Sequence, residues 1–180
     1  ATVASHVART LERSGASGVV LEDQARPRRC GHLDGKQLLP LPEYLNKLEA
    51  VLADRSSLVV VARTDASDPE EIVTRVQAFE QAGCDAVLAD GLKDLELIAQ
   101  IRAAVACPVF SNVIGGGKVP ACSRADLAGQ GVQGLIYSTP CLFAAQGAIE
   151  RALEDLSDAA ADLSGALASP RQLSHCNALL

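Results

Sequence analysis

The sequence predicts an α/β fold, read as the C-terminal five βα units of a TIM-type (β/α)8 barrel with the first three strands absent from this chain. Three observations predict it. Short apolar, β-branched runs alternate with longer amphipathic stretches, the order that gives parallel strands joined by right-handed crossovers. Polar and ionisable residues gather where run after run ends: Glu22-Asp23-Gln24, Arg63-Thr64-Asp65, Asp90, Asn112 and Tyr137. A barrel of this type builds its active site at the C-terminal ends of its strands. A full barrel needs eight strands and typically about 250 residues. This chain has 180 residues and no methionine, even at position 1, which points to a processed start or a fragment. A five-stranded flavodoxin-like sheet is the alternative architecture.

The elements follow in order. Ala1–Ser14 reads as a helix closed by Gly15. Strands are expected at Gly18–Leu21, Leu58–Ala62, Ala86–Ala89, Pro108–Phe110 and Gly134–Tyr137, each too short for a helix and apolar enough for burial on both faces. Helices are expected at Pro69–Ala82, where Ile72, Val73, Val76 and Phe79 share a face and Gly83 marks the stop, and at Leu92–Val105 and Thr139–Leu156. The barrel domain is placed at residues 1–165 and a C-terminal tail at 166–180. No GxGxxG follows the first strand, and Gly115-Gly116-Gly117 lacks the Lys and Ser/Thr that complete a P-loop.

Composition narrows the function classes. With 48% apolar residues the chain can bury a core, and a net charge of −6 leaves no basic stripe for nucleic acid. No apolar run approaches the roughly 18 residues of a membrane span, and no signal peptide precedes the first helix. The six cysteines show no CxxC pair. Cys84, Cys107 and Cys141 adjoin apolar stretches, where a thiol serves as a small buried hydrophobe, so a reducing, cytoplasmic setting is expected. His6 reads as a helix-surface residue, His175-Cys176 lacks a ligand cluster, and the charges of Glu150–Asp162 read as a solvated face.

Chemistry concentrates between Leu21 and Lys36. This segment leaves a strand carrying Glu22, Asp23, Arg26, Arg28, Arg29, Cys30, His32 and Lys36, with Gly31 and Gly35 to keep it mobile. A cysteine beside Arg29 and near His32 has cationic neighbours that favour a thiolate, so Cys30 is a candidate nucleophile or proton donor.

Glu22-Asp23-Gln24, then Arg28-Arg29-Cys30-Gly31-His32 and Gly35-Lys36, resembles the signature of isocitrate lyases, 2-methylisocitrate lyases and related malate-type lyases. Ala62-Arg63-Thr64-Asp65-Ala66 is similar to the Ala-Arg-Thr-Asp-Ala of that family. Pro108–Asn112 with Gly116-Gly117-Lys118-Val119-Pro120 is similar to its strand-seven asparagine segment, and Val7-Ala8-Arg9-Thr10-Leu11 to the helix after its third strand. On these motifs the chain resembles the lyase side of the isocitrate lyase/phosphoenolpyruvate mutase superfamily.

The resemblance implies a Mg²⁺-dependent, retro-aldol-type cleavage of a 2-hydroxy dicarboxylate into a 2-oxo acid and a carboxylate. It assigns catalytic roles to Cys30, His32 and Arg29, with Cys30 the general acid on a gating loop. Gly31, Arg63, Asp90 and Asn112 fall to binding a di- or tricarboxylate, and Glu22 to holding Mg²⁺. Asp90 stands where the family usually has Glu, Val113-Ile114-Gly115 replaces a segment that usually holds a Glu, and the metal-binding Asp-x-Asp has no match. A homo-oligomer is implied through exchange of the last helix. Oxaloacetate hydrolysis on the same scaffold, or an inactive truncated homologue acting in assembly, are the alternatives.

Overall fold

The computed structural model describes residues 2–157. Among them the elements run α1 (Thr2–Arg13), β1 (Gly18–Glu22), α2 (Leu41–Asp54), β2 (Val59–Thr64), α3 (Pro69–Gln81), β3 (Ala86–Ala89), α4 (Leu95–Ala104), β4 (Val109–Val113), α5 (Arg124–Gly129), β5 (Val132–Tyr137) and α6 (Pro140–Ser157). The chain divides into a unit of residues 1–138 and one of 139–180. The boundary expected at 165/166, and the tail beyond it, lie outside the described residues.

All five expected strands form, and they pair in parallel in the sequential order β1-β2-β3-β4-β5. That order has none of the reversal that marks a flavodoxin-like sheet, 2-1-3-4-5. Helices α1 to α5 also line one face. Ala8 of α1, Leu48 of α2, Phe79 of α3, Ile98 of α4 and Leu127 of α5 share a single core with Val60, Ala62, Val87 and Val109. The opposite face holds a small cluster of Val61, Ala86 and Leu88 with Phe110 and Ile136 against it. Gly134 makes room there, because a Cβ at that position would lie 2.6 Å from the Phe110 ring.

Local chemistry explains the helix ends. Asp68 accepts from the Glu71 N–H at 2.9 Å and Asp94 from the Glu96 N–H at 2.8 Å, so both act as N-caps. Ser123 and Asp126 form a reciprocal capping box on α5. The expected element boundaries leave 41–54 unassigned, yet α2 forms there. Its prolines sit at the entry and in the first turn, where a missing N–H costs no helical bond. Tyr44, Leu48 and Val51 then fall on one buried face.

The strands run further than their apolar runs. β1 extends to Glu22, β2 to Thr64 and β4 to Val113, so Glu22, Arg63 and Asn112 are held within the ladder. Glu22 pairs with Arg63 and Asn112 with Ile136. Because strand side chains alternate, Glu22, Arg63, Asp90 and Asn112 share the face away from the helices. Burial pushes the Cys84 thiol up to about 12 and the Cys107 thiol up to about 11, which suits packing residues. Cys141, expected to be buried, is exposed.

Candidate functional site

At the C-terminal ends of β1 to β5 a continuous set of polar contacts crosses the sheet. Arg63 Nη2 meets Asp65 Oδ1 at 2.8 Å and Asp90 Oδ2 at 2.5 Å, and Nε donates to Asp65 Oδ2 at 3.1 Å. Asn112 Nδ2 donates to Asp90 Oδ1 at 3.0 Å, and Ser138 Oγ donates to Asn112 Oδ1 at 2.6 Å. Asp65, Asp90 and Asn112 are buried. Burying several carboxylates beside a single guanidinium is costly unless each is hydrogen-bonded, and these contacts provide that. Nη1 of Arg63 makes no hydrogen bond among the described residues, which leaves that nitrogen to donate to a carboxylate oxygen.

A second layer supports the first. Asp23 Oδ1 accepts the Asp65 N–H at 3.0 Å, and Arg75 Nη1 from α3 reaches Asp23 Oδ2 at 3.2 Å. Burial pushes the Asp23 carboxyl up, while hydrogen bonds from Thr64 and Asp65 and the Arg75 charge pull it down. Lys47 Nζ donates to the Glu22 carbonyl at 2.5 Å, and burial lowers this lysine below its ordinary value. A cleft of about 570 Å³ opens beside this layer, lined among others by Lys36, Asp65, Ser67 and Arg75.

The Cys30 segment closes over the cluster. An antiparallel bridge between Gln24 and Leu38 ties its base. Within it the Gln24 amide clasps Arg29 both ways, Nε2 to the Arg29 carbonyl and Oε1 from the Arg29 N–H, each at 2.8 Å. Gln24 Nε2 also donates to Asp65 Oδ2 at 2.9 Å. Gly31 lands on the cluster itself. A Cβ there would overlap Asp90 Oδ2, Asp65 Oδ1 and Arg63 Nη2, so only glycine fits. Lys36 Nζ donates to the Gly31 carbonyl at 2.5 Å, and burial lowers the pKa of this lysine too.

Of the residues singled out from sequence, Gly31, His32, Arg63, Asp90 and Asn112 come together. His32 Nε2 lies 3.3 Å from Asp90 Oδ1, but off the hydrogen-bonding direction, so it is buried without a partner among the described residues. Cys30 is exposed and its thiol makes no hydrogen bond among the described residues. The Arg29 side chain points away, with Nη1 3.5 Å from the Asp34 carbonyl. Sequence reasoning overlooked Arg75, because α3 was read for its apolar face alone, and gave no role to Ser138, Gly91 or Gly117. Only three-dimensional contact marks these.

The implied Mg²⁺ can be tested on the donor set. Arg28 Nε and Nη2 engage both oxygens of Glu22, at 2.5 and 3.0 Å. Among the described residues no group of three or more His, Cys, Asp or Glu is arranged to hold a metal ion. Mg²⁺ demands an octahedral shell of oxygens, and a lone carboxylate held by a guanidinium does not offer it. The described residues do not by themselves fit Mg²⁺.

Comparison with known proteins places this geometry. Residues 1–157 match the family model described as phosphoenolpyruvate phosphomutase. The 2-methylisocitrate lyase of Bacillus subtilis (strain 168) is 34% identical over 151 residues, covering 82% of this chain and 50% of that protein. The 2,3-dimethylmalate lyase of Eubacterium barkeri is 29% identical over 146 residues, covering 78% of this chain and 50% of that protein. Among solved structures, oxaloacetate acetylhydrolase in complex with the inhibitor 3,3-difluorooxalacetate is similar with a TM-score of 0.86 at 30% identity, covering 99% of this chain and 63% of that one. The chain thus spans about half the length of the curated relatives it matches. Among the described residues no helix is long and apolar enough to cross a membrane.

Proposed function

The chain belongs to the phosphoenolpyruvate mutase/isocitrate lyase superfamily, and from that premise we propose that it carries the proton-donor loop and carboxylate seat of a carbon–carbon lyase. The substrate is a 2-methylisocitrate-like or substituted-malate 2-hydroxy dicarboxylate, cleaved to a 2-oxo acid and a carboxylate. The observation that carries this reading is the seating of Gly31 on Arg63, Asp65 and Asp90, which sets the cysteine loop over a guanidinium whose Nη1 makes no hydrogen bond among the described residues. Likeness to lyases over most of the chain supports it.

In this reading Nη1 of Arg63 donates to a substrate carboxylate, a charge-assisted pairing. Asp90 and Asn112 orient the substrate, and the buried Nε2 of His32 offers a further donor. A base takes the 2-hydroxyl proton, and that oxygen becomes the carbonyl of the 2-oxo acid. The C–C bond breaks with its electron pair left on the carbon next to the departing carboxylate. Cys30, swung inward with Arg29 and His32 beside it, gives that carbon its S–H proton and becomes the thiolate. Mg²⁺ as cofactor, supplying Lewis-acid polarisation of the substrate oxygen, is the family's implication. The described residues contribute one carboxylate, Glu22, toward it. The sequential sheet with helices on one face supports five of eight barrel strands. Division into a barrel domain at 1–165 and a tail at 166–180, a homo-oligomeric state and a cytoplasmic location belong to the same proposal.

Hydrolysis of oxaloacetate to oxalate and acetate is a second reading, favoured by the likeness to oxaloacetate acetylhydrolase. One experiment separates the two. The chain alone, and the chain joined to the N-terminal half of the Bacillus subtilis relative, are assayed with Mg²⁺ on 2-methylisocitrate, 2,3-dimethylmalate and oxaloacetate. Release of a 2-oxo acid from the first two by the joined form is expected. Oxalate from the third alone selects the hydrolase, and silence from the joined form on all three refutes both.

A further inference from the structure

Two segments far from it in sequence hold the Cys30 loop in place. The Lys118 N–H donates to His32 Nδ1 at 2.8 Å, and Lys118 Nζ reaches Asp34 Oδ1 at 2.6 Å. Both contacts run from the segment after β4 to the loop after β1. Two glycines make the fit possible. Gly91, after β3, has φ +69° and would place a Cβ 2.6 Å from the Gly31 carbonyl oxygen. A Cβ on Gly117 would overlap His32 Nδ1. The His32 side chain is 5% exposed, so its ring is enclosed where these contacts hold it.

We propose that Lys118 is the latch of the Cys30 loop, fixing His32 through its main-chain N–H and Asp34 through its ammonium, with Gly91 and Gly117 as the socket that receives it. Lys118 is a positioning residue. The latch sets the tautomer of His32 as well as its place. Because Nδ1 accepts from Lys118, the neutral ring carries its proton on Nε2, the atom turned toward Asp90. The loop after β1 and the segment after β4 then move as one body, so Cys30 changes place only when the contacts to Lys118 break. The catalytic consequence rests on the lyase reading above; the latch itself does not.

Trypsin tests it on the full chain without any turnover. Cleavage after Arg28 and Arg29 requires the loop to lift, whereas cleavage after Arg102 reports opening of α4. Lys118→Ala, which keeps the N–H, should speed loop cleavage by about 2- to 5-fold, the weight of an exposed ion pair, with Lys118→Arg restoring the slow rate. Gly117→Val, which displaces the ring, should speed it by roughly 5- to 10-fold. In both, the Arg102 rate and the melting temperature should hold. A ¹⁵N spectrum of the neutral His32 ring should show Nδ1 unprotonated, and Gly117→Val should lose that signature. Loop cleavage unchanged in both variants, equal acceleration at Arg102, or a proton on Nδ1 each overturns the latch. Failure of the lyase assay with these results intact would sink only the enzymatic reading.

Discussion

At Arg63 two demands meet in one guanidinium. Nε and Nη2 hold Asp65 and Asp90, whose buried charges would otherwise meet only the neutral donors Gln24 and Asn112, while Nη1 stays available. A lysine keeps the charge but cannot serve both sides. Arg63→Lys is therefore expected to lower kcat/KM of the joined form by about 10-fold or more, since a charge-assisted hydrogen bond is worth about 1.5–3 kcal/mol. Steady-state kinetics check this, and an unchanged kcat/KM would remove Arg63 from the substrate. Cys30 differs, because its thiol makes no hydrogen bond among the described residues. Cys30→Ser should leave KM close to its starting value and cut kcat by about 100-fold or more, the usual weight of a general acid. A serine variant with full kcat would mean the proton comes from elsewhere.

The elements that carry the site are joined by contacts of two kinds. Phe79 of α3 is fully buried and lies 4.6 Å from Tyr44 of α2, ring centroid to ring centroid. Phe79→Ala should cost about 3–5 kcal/mol in urea unfolding, as truncation of a buried aromatic generally does. The other kind is polar. Glu12, near the end of α1, accepts the N–H groups of Ser56, Ser57 and Leu58 between α2 and β2. The Ser57 N–H, followed by Ser56, holds its carboxyl below the ordinary 4.5. A depressed folded-state pKa means that this stabilisation is full above the ordinary value and fades as pH falls through the folded one. Glu12→Gln should lower the melting temperature at neutral pH and flatten its fall under acid. Parallel melting curves for the variant and the parent chain would show the contact to be energetically idle.

Across the whole molecule, the sheet has one helix-covered face and one face left to the site. Val20 on β1 and Val59 on β2, both on that second face, are 47% and 45% exposed. On that face Glu22 pairs with Arg28 where a metal ligand was expected. Millimolar Mg²⁺ should therefore leave the melting temperature of this chain unchanged, since a ligand at 100 times its Kd would add about 2.7 kcal/mol. A rise of several degrees would show that the chain builds a metal site of its own. The joined form should show such a rise.

The sequence by itself determined the five strands, most of the helices, the parallel architecture, and the segments where chemistry gathers. These rest on local periodicity and on short motifs, whose physics acts within a few residues. It underestimated strand length, because a strand can extend through Glu22, Arg63 or Asn112 once its neighbour offers the ladder. It passed over α2, whose prolines look like breakers until their first-turn places are known. The tertiary structure alone decided which candidates meet. It turned Arg29 outward, bound Glu22 to Arg28, brought Arg75 under Asp23, and set Gly31 upon Asp90 and His32 against Lys118. Those pairs are separated by up to 86 residues, and where they are buried a polar atom away from water must find a partner wherever the fold provides one.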